Sequence, residues 1–380
     1  MIKKPLQRPA WVEIDTWAFR QNWRHIFKDK PDALSILFVV KDNAYGHGSL
    51  PLARIALEEG CSCLATVTVT EAISLREYGI TDTPILVLGE RTESELHACV
   101  RYNLTCCINS VEAAERYTKI CQSNRKTAKV HIEIDTGLSR YGIRWTQALS
   151  VIEYVDAQSW LQLEGMMSHF AMSDELDKTF ATLQLARFQQ VIDRIQHKNI
   201  DIPLLHMCNT GGYLDLPQAH FSMVRIGILP LGVYPSQVCR RIQGLKPVMS
   251  VKTRIIAVQQ IEAGDSVGYG MHFKATAPMR IGVIPLGYGD GYPRVRNRGH
   301  VLVCGKTVPV VGGNAMDATM VDLTGTPEAA IGDEVVLLGK QGQEEIDVHA
   351  LAALQGTVSY HLLTGWRSRL PRIYRNKERT

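Results

Sequence analysis

At 380 residues the chain exceeds the size at which one hydrophobic core usually stops growing, so two domains are expected. Hydrophobic residues at 45% and charged residues at 21% are those of a water-soluble globular protein and leave little room for long disordered tails. A net charge of +4 from 42 basic and 38 acidic side chains is too balanced to point to nucleic acid or a membrane surface, while small anionic ligands stay open.

The chain opens on MIKKPLQRPAWVEID, which runs into proline, arginine and acid without the apolar stretch of a secretory signal. Nothing further along is long and apolar enough to cross a bilayer. The nine cysteines include Cys61/Cys63 and Cys106/Cys107 in apolar, strand-like runs. They match neither zinc spacing nor a disulfide scaffold, so no metal site is expected and they read as buried thiols of a reducing cytosol.

From Ala33 to Pro230 one theme recurs: a short apolar β-rich run, a polar turn, then a longer segment with helical spacing. The runs are SILFVV, CLATVTV, PILVLG, LTCCIN, KVHIEID, LQLEGMMSH, IPLLHMCN and MVRIGI. LPLARIALEEG, VTEAISLREYG and FATLQLARFQQVIDRIQ are helical segments between them, with Gly60 and Gly79 as helix stops. Eight alternations predict parallel strands joined by crossovers in an α/β fold, closed into an N-terminal (β/α)8 TIM-type barrel; an open doubly wound sheet is the weaker alternative. After Gln237 helical segments largely vanish, and MSVKTRIIAVQQI, MRIGVIPLGYG, HVLVCGKTVPVVG and DEVVLLG predict a C-terminal mostly-β domain. The expected division is 1–237 and 238–380, with the first ten or so residues packing on the second domain.

Chemistry in such a barrel sits where strands end. The first run ends in Lys41, the fifth in Asp135-Thr136-Gly137 with Arg140 behind, and the sixth in Ser168-His169. The seventh ends in Asn209-Thr210, and the eighth contains Arg225-Ile226-Gly227. A lysine there, its stem against apolar walls, is a candidate amine nucleophile for Schiff-base chemistry. Gly227 and Ile228 offer backbone N–H groups where barrels often bind phosphate, and Thr210 adds a hydroxyl. Each has a plainer reading as a strand end or turn. Arg225 in an apolar run resists one, because a buried guanidinium needs partners.

VVKDNAYGHG resembles the lysine signature of the alanine racemase family, whose usual form has alanine where Asp42 stands. HIEIDTGLSRYGI, GMMSHFAMSDE, HMCNTGGYL, MVRIGILPLGVYPS, SVGYG, IPLGYGDGYPR, GGNAMDATMVDL and TVSYHLLTGWRSRLPRIY resemble family segments in family order, over nearly the whole chain. The resemblance implies a barrel holding pyridoxal 5'-phosphate (PLP) and a head-to-tail homodimer in which the β domain of one subunit covers the barrel of the other. It implies that Lys41 carries the cofactor and that Tyr269, from the other subunit, is the opposing base. Tyr45, Asn209, Thr210, Gly227, Ile228 and Tyr360 match cofactor-binding positions. Arg225 matches the arginine facing the pyridine nitrogen, and His169 the histidine that orients the tyrosine. Arg140 and Met316 match groups near the substrate carboxylate, with Asp317 supporting. Tyr288 resembles a tyrosine narrowing the entrance, with Asp174 and Arg294 further out.

Removing a proton from one face of a planar intermediate and returning one to the other calls for two opposed bases, and Lys41 with Tyr269 fills those places. The expected activity is interconversion of L- and D-alanine in the cytoplasm, supplying D-alanine for peptidoglycan.

Several positions depart from the family pattern. Glu133 stands where many members carry a carbamylated lysine, and a permanent carboxylate there is expected to hold Arg140. Gly313 stands for a usual arginine, Ala315 for a cysteine or serine, and Met172 for a smaller residue. These leave a broader racemase, acting on serine for example, as an alternative. A PLP decarboxylase of the same architecture, a non-catalytic PLP carrier and a degenerate binding protein are weaker readings: the tyrosine base, the covering domain and the retained Lys41 argue against them in turn.

Overall fold

The structure, a computed structural model, describes residues 8–376. They fall into two compact units, Arg20–Leu245 and a discontinuous unit made of the described residues up to Phe19 with those from Lys246 onward. The chain enters through β1 (Ala10–Asp15), a strand of the second unit.

The first unit contains β2 (Ser35–Val39), β3 (Cys63–Thr66), β4 (Ile85–Val87), β5 (Thr105–Ile108), β6 (Ala128–Asp135), the short β7 (Ile143–Arg144), β8 (Leu161–Met167), β9 (Leu204–His206) and β10 (Met223–Ile226). All eight expected runs are strands. Their order is β10-β2-β3-β4-β5-β6-β8-β9, every pairing parallel, with β7 a side branch on β6. Backbone bonds from Ser222 N to Leu205 O (3.1 Å) and from Arg225 N to Cys208 O (2.9 Å) bring β10 beside β9 and close the ring. Because helices cover one face and the barrel interior the other, β3, β4, β5 and β10 are buried along their length. Helices Val69–Glu77 and Glu93–Arg101 start on capping boxes, Thr68 with Glu71 and Thr92 with Glu95. Gly60 and Gly79, just past their helices, take φ of +110° and +98°.

In the second unit β1 lies antiparallel to Met249–Arg254, Val12 opposite Val251, and parallel to Arg372–Arg375, Glu13 opposite Ile373. Ala10, Val12 and Ile14 are buried while Trp11, Glu13 and Asp15 are half-buried, the alternation of a strand with one core face. His300–Val303, Lys306–Pro309 and Glu334–Gln341 extend this sheet. Ala257–Ile261, Met279–Ile284 and Thr319–Asp322 make a second.

The division differs from the expected one. Residues 238–245 stay with the barrel unit because Arg240 makes two 2.8 Å bonds to Asp29 and a third to Leu214 O, and the Tyr234 hydroxyl ties Ile242. At the other end the β unit claims the chain up to Phe19, further than the expected ten residues, of which 1–7 lie outside the described residues. Arg8 pairs there with the fully buried Asp290. Eight cysteines are buried free thiols, but Cys304 is exposed, because it turns a hairpin outward at φ +52°. No helix among the described residues is long and apolar enough to cross a membrane.

Candidate active site

Lys41 follows β2, and the backbone after it turns left-handed: Asp42, Asn43, Ala44 and Tyr45 have φ of +51°, +54°, +50° and +52°, then Gly46 +80°. A left-handed conformation costs an ordinary residue roughly 1–2 kcal/mol, so four in succession persist only where their surroundings hold them. Ala44 N bonds Val40 O (2.9 Å), Gly46 N bonds Asp42 O (2.9 Å) and Gly48 N bonds Asn43 O (2.8 Å). Asp42 N donates to Glu71 Oε1 (2.5 Å), the carboxylate that also caps Val69–Glu77. Lys41 is thus set at the end of its strand. Burial, helped by the positive charge of Arg140, pushes its amine below the ordinary lysine pKa.

The same turn aims Tyr45 at β10. A Cβ at Gly227 would lie 2.3 Å from the Tyr45 hydroxyl, so only glycine lets the two meet. Asn209 Oδ1 accepts Gly212 N (3.0 Å) and the Ser173 hydroxyl (2.7 Å), opening the short helix Thr210–Asp215 with Thr210 buried. Gly227 and the fully buried Ile228 follow β10.

Arg225, 3% exposed, finds five acceptors for its terminal nitrogens. Nη1 donates to His206 Nδ1 (2.9 Å) and His206 O (3.1 Å). Nη2 donates to Ser168 O (2.6 Å), His169 Nδ1 (2.9 Å) and Met207 O (3.1 Å). Among the described residues Nε–H has no acceptor. Burial lowers its pKa to about 10, which leaves it a cation at neutral pH. A guanidinium only donates, so His169 Nδ1 must carry a lone pair and its proton sits on Nε2. Burial, then the charges of Arg225, Arg140 and Lys41, hold His169 neutral, well below the ordinary histidine range.

Glu133 does not behave as expected. It is buried, at 4% exposure, and its Oε2 has no hydrogen-bond partner. Arg140 is exposed, stacks over Tyr141 at 5.7 Å and forms no ion pair with Glu133 among the described residues. The two are near enough for Arg140 and Arg225 to favour the carboxylate, but burial outweighs them and raises its pKa. The reason is positional: β6 carries Glu133 on an inward face, whereas Arg140 lies on the loop beyond.

The remaining residues stand in the β unit. Tyr269, 76% exposed, sits between Gly268 and Gly270, both at φ +75°. A Cβ on Gly268 would lie 2.8 Å from Gly313 N and O, so this turn packs directly on the Gly313 backbone. Tyr269, Tyr288, Arg294, Gly313 and Asn314 line one cleft of about 560 Å³. The Arg294 guanidinium lies 5.8 Å from the Tyr288 ring centre. Met316 is exposed and its carbonyl accepts Gly289 N (2.8 Å); Asp317 pairs with Arg369. Tyr360 is half-buried on helix Ser359–Gly365. Asp174, in the barrel unit, accepts the Ser236 hydroxyl on its carbonyl (2.5 Å), and Met172 nearby is exposed.

The structure therefore gathers Lys41, Tyr45, Glu133, His169, Asn209, Thr210, Arg225, Gly227 and Ile228 within the barrel, and Tyr269, Tyr288 and Arg294 around the cleft of the β unit. His206, His131 and Glu164, which continue the Arg225 network, were not anticipated. The alternation of Lys129, His131, Glu133 and Asp135 in KVHIEID is a signal that points to His131 alone: polar residues at period two share one face of a strand.

Two families match the chain, the alanine racemase N-terminal domain over residues 14–235 and the alanine racemase C-terminal domain over residues 248–374. The chain is 41% identical over 354 residues to alanine racemase of Syntrophobacter fumaroxidans, covering 93% of this chain and 94% of that one. Alanine racemase of Clostridium difficile 630 superposes with a TM-score of 0.93 at 30% identity, over 98% of this chain and 97% of that one. Alanine racemase of Bacillus anthracis with bound L-Ala-P gives a TM-score of 0.91 at 33% identity, over 98% and 96%.

Proposed function

We propose, because the chain belongs to the alanine racemase family, that it is an isomerase interconverting L- and D-alanine with PLP as cofactor. The observation that carries this reading is the pairing, in one barrel, of a half-buried lysine of lowered pKa with a buried arginine whose Nε–H has no acceptor. The residues present fit the cofactor. Lys41 offers an amine to an aldehyde, Arg225 a donor to a ring nitrogen that stays unprotonated, and the Gly227 backbone with the Tyr45 and Thr210 hydroxyls a cradle for phosphate. When bound, PLP supplies the electron sink that makes the substrate α-proton removable.

Lys41 moves that proton on one face and Tyr269 of a second copy on the other. A free phenol has a pKa of about 10, so this base needs a neighbour that favours its ionised form. His169 supplies it, its Nε2–H free to donate because Arg225 occupies Nδ1. Arg140 and Met316 receive the substrate carboxylate, supported by Asp317, and Glu133 balances the nearby positive charge in place of a carbamylated lysine. Tyr288 and Tyr360 narrow the pocket to a small side chain, with Asp174 and Arg294 along the approach. The protein works in the cytoplasm as a homodimer with shared sites and supplies D-alanine for peptidoglycan.

The test is to incubate purified protein and PLP with a panel of L-amino acids and measure D-enantiomers by chiral chromatography. D-Alanine is expected to form fastest. D-Serine at a comparable rate would replace strict alanine preference by the broader reading, which the small Gly313 and Ala315 favour and the bulkier Met172 opposes. No D-product from any amino acid would overturn the reading.

A further inference from the structure

Beyond His206 the Arg225 network continues through the barrel. His206 Nε2 lies 2.8 Å from His131 Nδ1, and His131 Nε2 lies 3.5 Å from Glu164 Oε2. Glu164 is in turn paired with Lys129, whose ammonium is partly exposed. Each link constrains the next. Nη1 of Arg225 can only donate, so His206 Nδ1 is an acceptor and its proton is on Nε2. That proton points at His131 Nδ1, which must accept it, so His131 is also protonated on Nε2. The last N–H needs an acceptor, and Glu164 is one: bonds from His131 and Lys129 hold its carboxyl below the usual carboxylate range. Burial keeps both rings neutral.

The backbone is shaped for this line of rings. Val130 pairs with Leu163 and His131 with Gly165, so Glu164 is an extra residue on β8, a bulge that re-aims its side chain toward His131. A Cβ at Gly165 would lie 2.6 Å from the His131 ring, so the histidine fits only over glycine.

We propose that Glu164, acting through His131 and His206, is a positioning residue for Arg225: it fixes one tautomer in both rings and so gives the guanidinium an acceptor at Nη1, holding Nε–H for the cofactor. The proposal rests on the proposed function for the purpose of the relay, though not for its geometry. Without an acceptor at position 164, His131 turns its proton to Nδ1. His206 must then do the same, and an N–H faces the N–H of Arg225. The relay so links an acidic residue on β8 to the arginine on β10.

The experiment labels histidine with ¹⁵N and reads tautomers by long-range ¹H–¹⁵N correlation, in the protein with and without PLP, alongside PLP affinity by absorbance titration. Both His131 and His206 are expected as Nε2–H tautomers at neutral pH. Glu164→Gln, which keeps a carbonyl acceptor, retains them and binds PLP as before. Glu164→Leu shifts His206 toward Nδ1–H and raises the Kd for PLP about tenfold, the worth of one hydrogen bond to a charged group. His131→Phe, of similar volume, loosens His206 in the same way and serves if Glu164→Leu does not fold. A wild-type His206 carrying its proton on Nδ1, or a folded variant with unchanged tautomer and affinity, would overturn the proposal. Predicted tautomers in a protein that makes no D-amino acid would overturn the proposed function and leave the relay standing.

Discussion

Glu133 shows how much one buried group can say. A carboxyl oxygen without a partner costs roughly 1–3 kcal/mol, and a protein retains such a cost where the charge is used. Arg225 and Arg140 both favour its ionised form while burial opposes it. Glu133→Gln removes the charge and keeps the shape, so the unfolding midpoint is expected to stay or rise. KM for alanine should rise about threefold or more with kcat little changed, the pattern of binding lost equally from the ground state and the transition state. Steady-state kinetics check this, and an unaltered KM would reduce Glu133 to a packing residue. Glu133 could be singled out as a candidate in the chain, from its place two before Asp135-Thr136-Gly137. Its partner was not: the resemblance suggested Arg140, but a residue on an inward strand face and one on the following loop need not meet, and the side-chain direction decides.

At the scale of elements, the eight barrel strands were legible because each is a short apolar run punctuated by turns, and because strand-helix alternation admits few topologies. The left-handed turn after Lys41 was not. Asp42-Asn43-Ala44-Tyr45 contains no glycine to announce positive φ, and one of the bonds that hold the turn comes from Glu71, which lies 29 residues from Asp42 in a different helix and accepts its N–H. The histidine relay escaped for a similar reason, since it joins β6, β8, β9 and β10 and arises only when the barrel closes. It has a consequence for stability. His131 and His206 have pKa values lowered by burial, so below the unfolded value of about 6.5 the unfolded chain binds more protons than the folded one. Stability is then full above about pH 6.5 and falls as pH drops below it, by up to about 1.4 kcal/mol per pH unit for each histidine. Glu133, with a raised pKa, acts in the opposite sense, so the fall in Glu133→Gln is at least as steep. Urea unfolding of the PLP-free protein between pH 7.5 and pH 5.5 measures this, and a flat profile would contradict the buried neutral histidines.

For the whole molecule, the change from alternating strand and helix to glycine-punctuated strands was visible along the chain, but the boundary was not. A strand at the very start of the sequence pairs with one beginning at Met249 and another beginning at Arg372, and Arg240 ties its segment back to Asp29. Such long-range pairings leave no local mark. The candidate bases stand in different units, Lys41 in the barrel and Tyr269 exposed in the β unit. An exposed tyrosine becomes a catalytic base only when another surface covers it, a role that falls to a second copy of the chain. Subunit mixing tests this most directly. Lys41→Ala and Tyr269→Ala proteins, each inactive, are unfolded together, refolded with PLP and assayed for D-alanine. If each site draws Lys41 from one copy and Tyr269 from the other, random pairing restores up to about a quarter of the wild-type sites. A fully exchanged mixture that stays inactive would contradict the shared site.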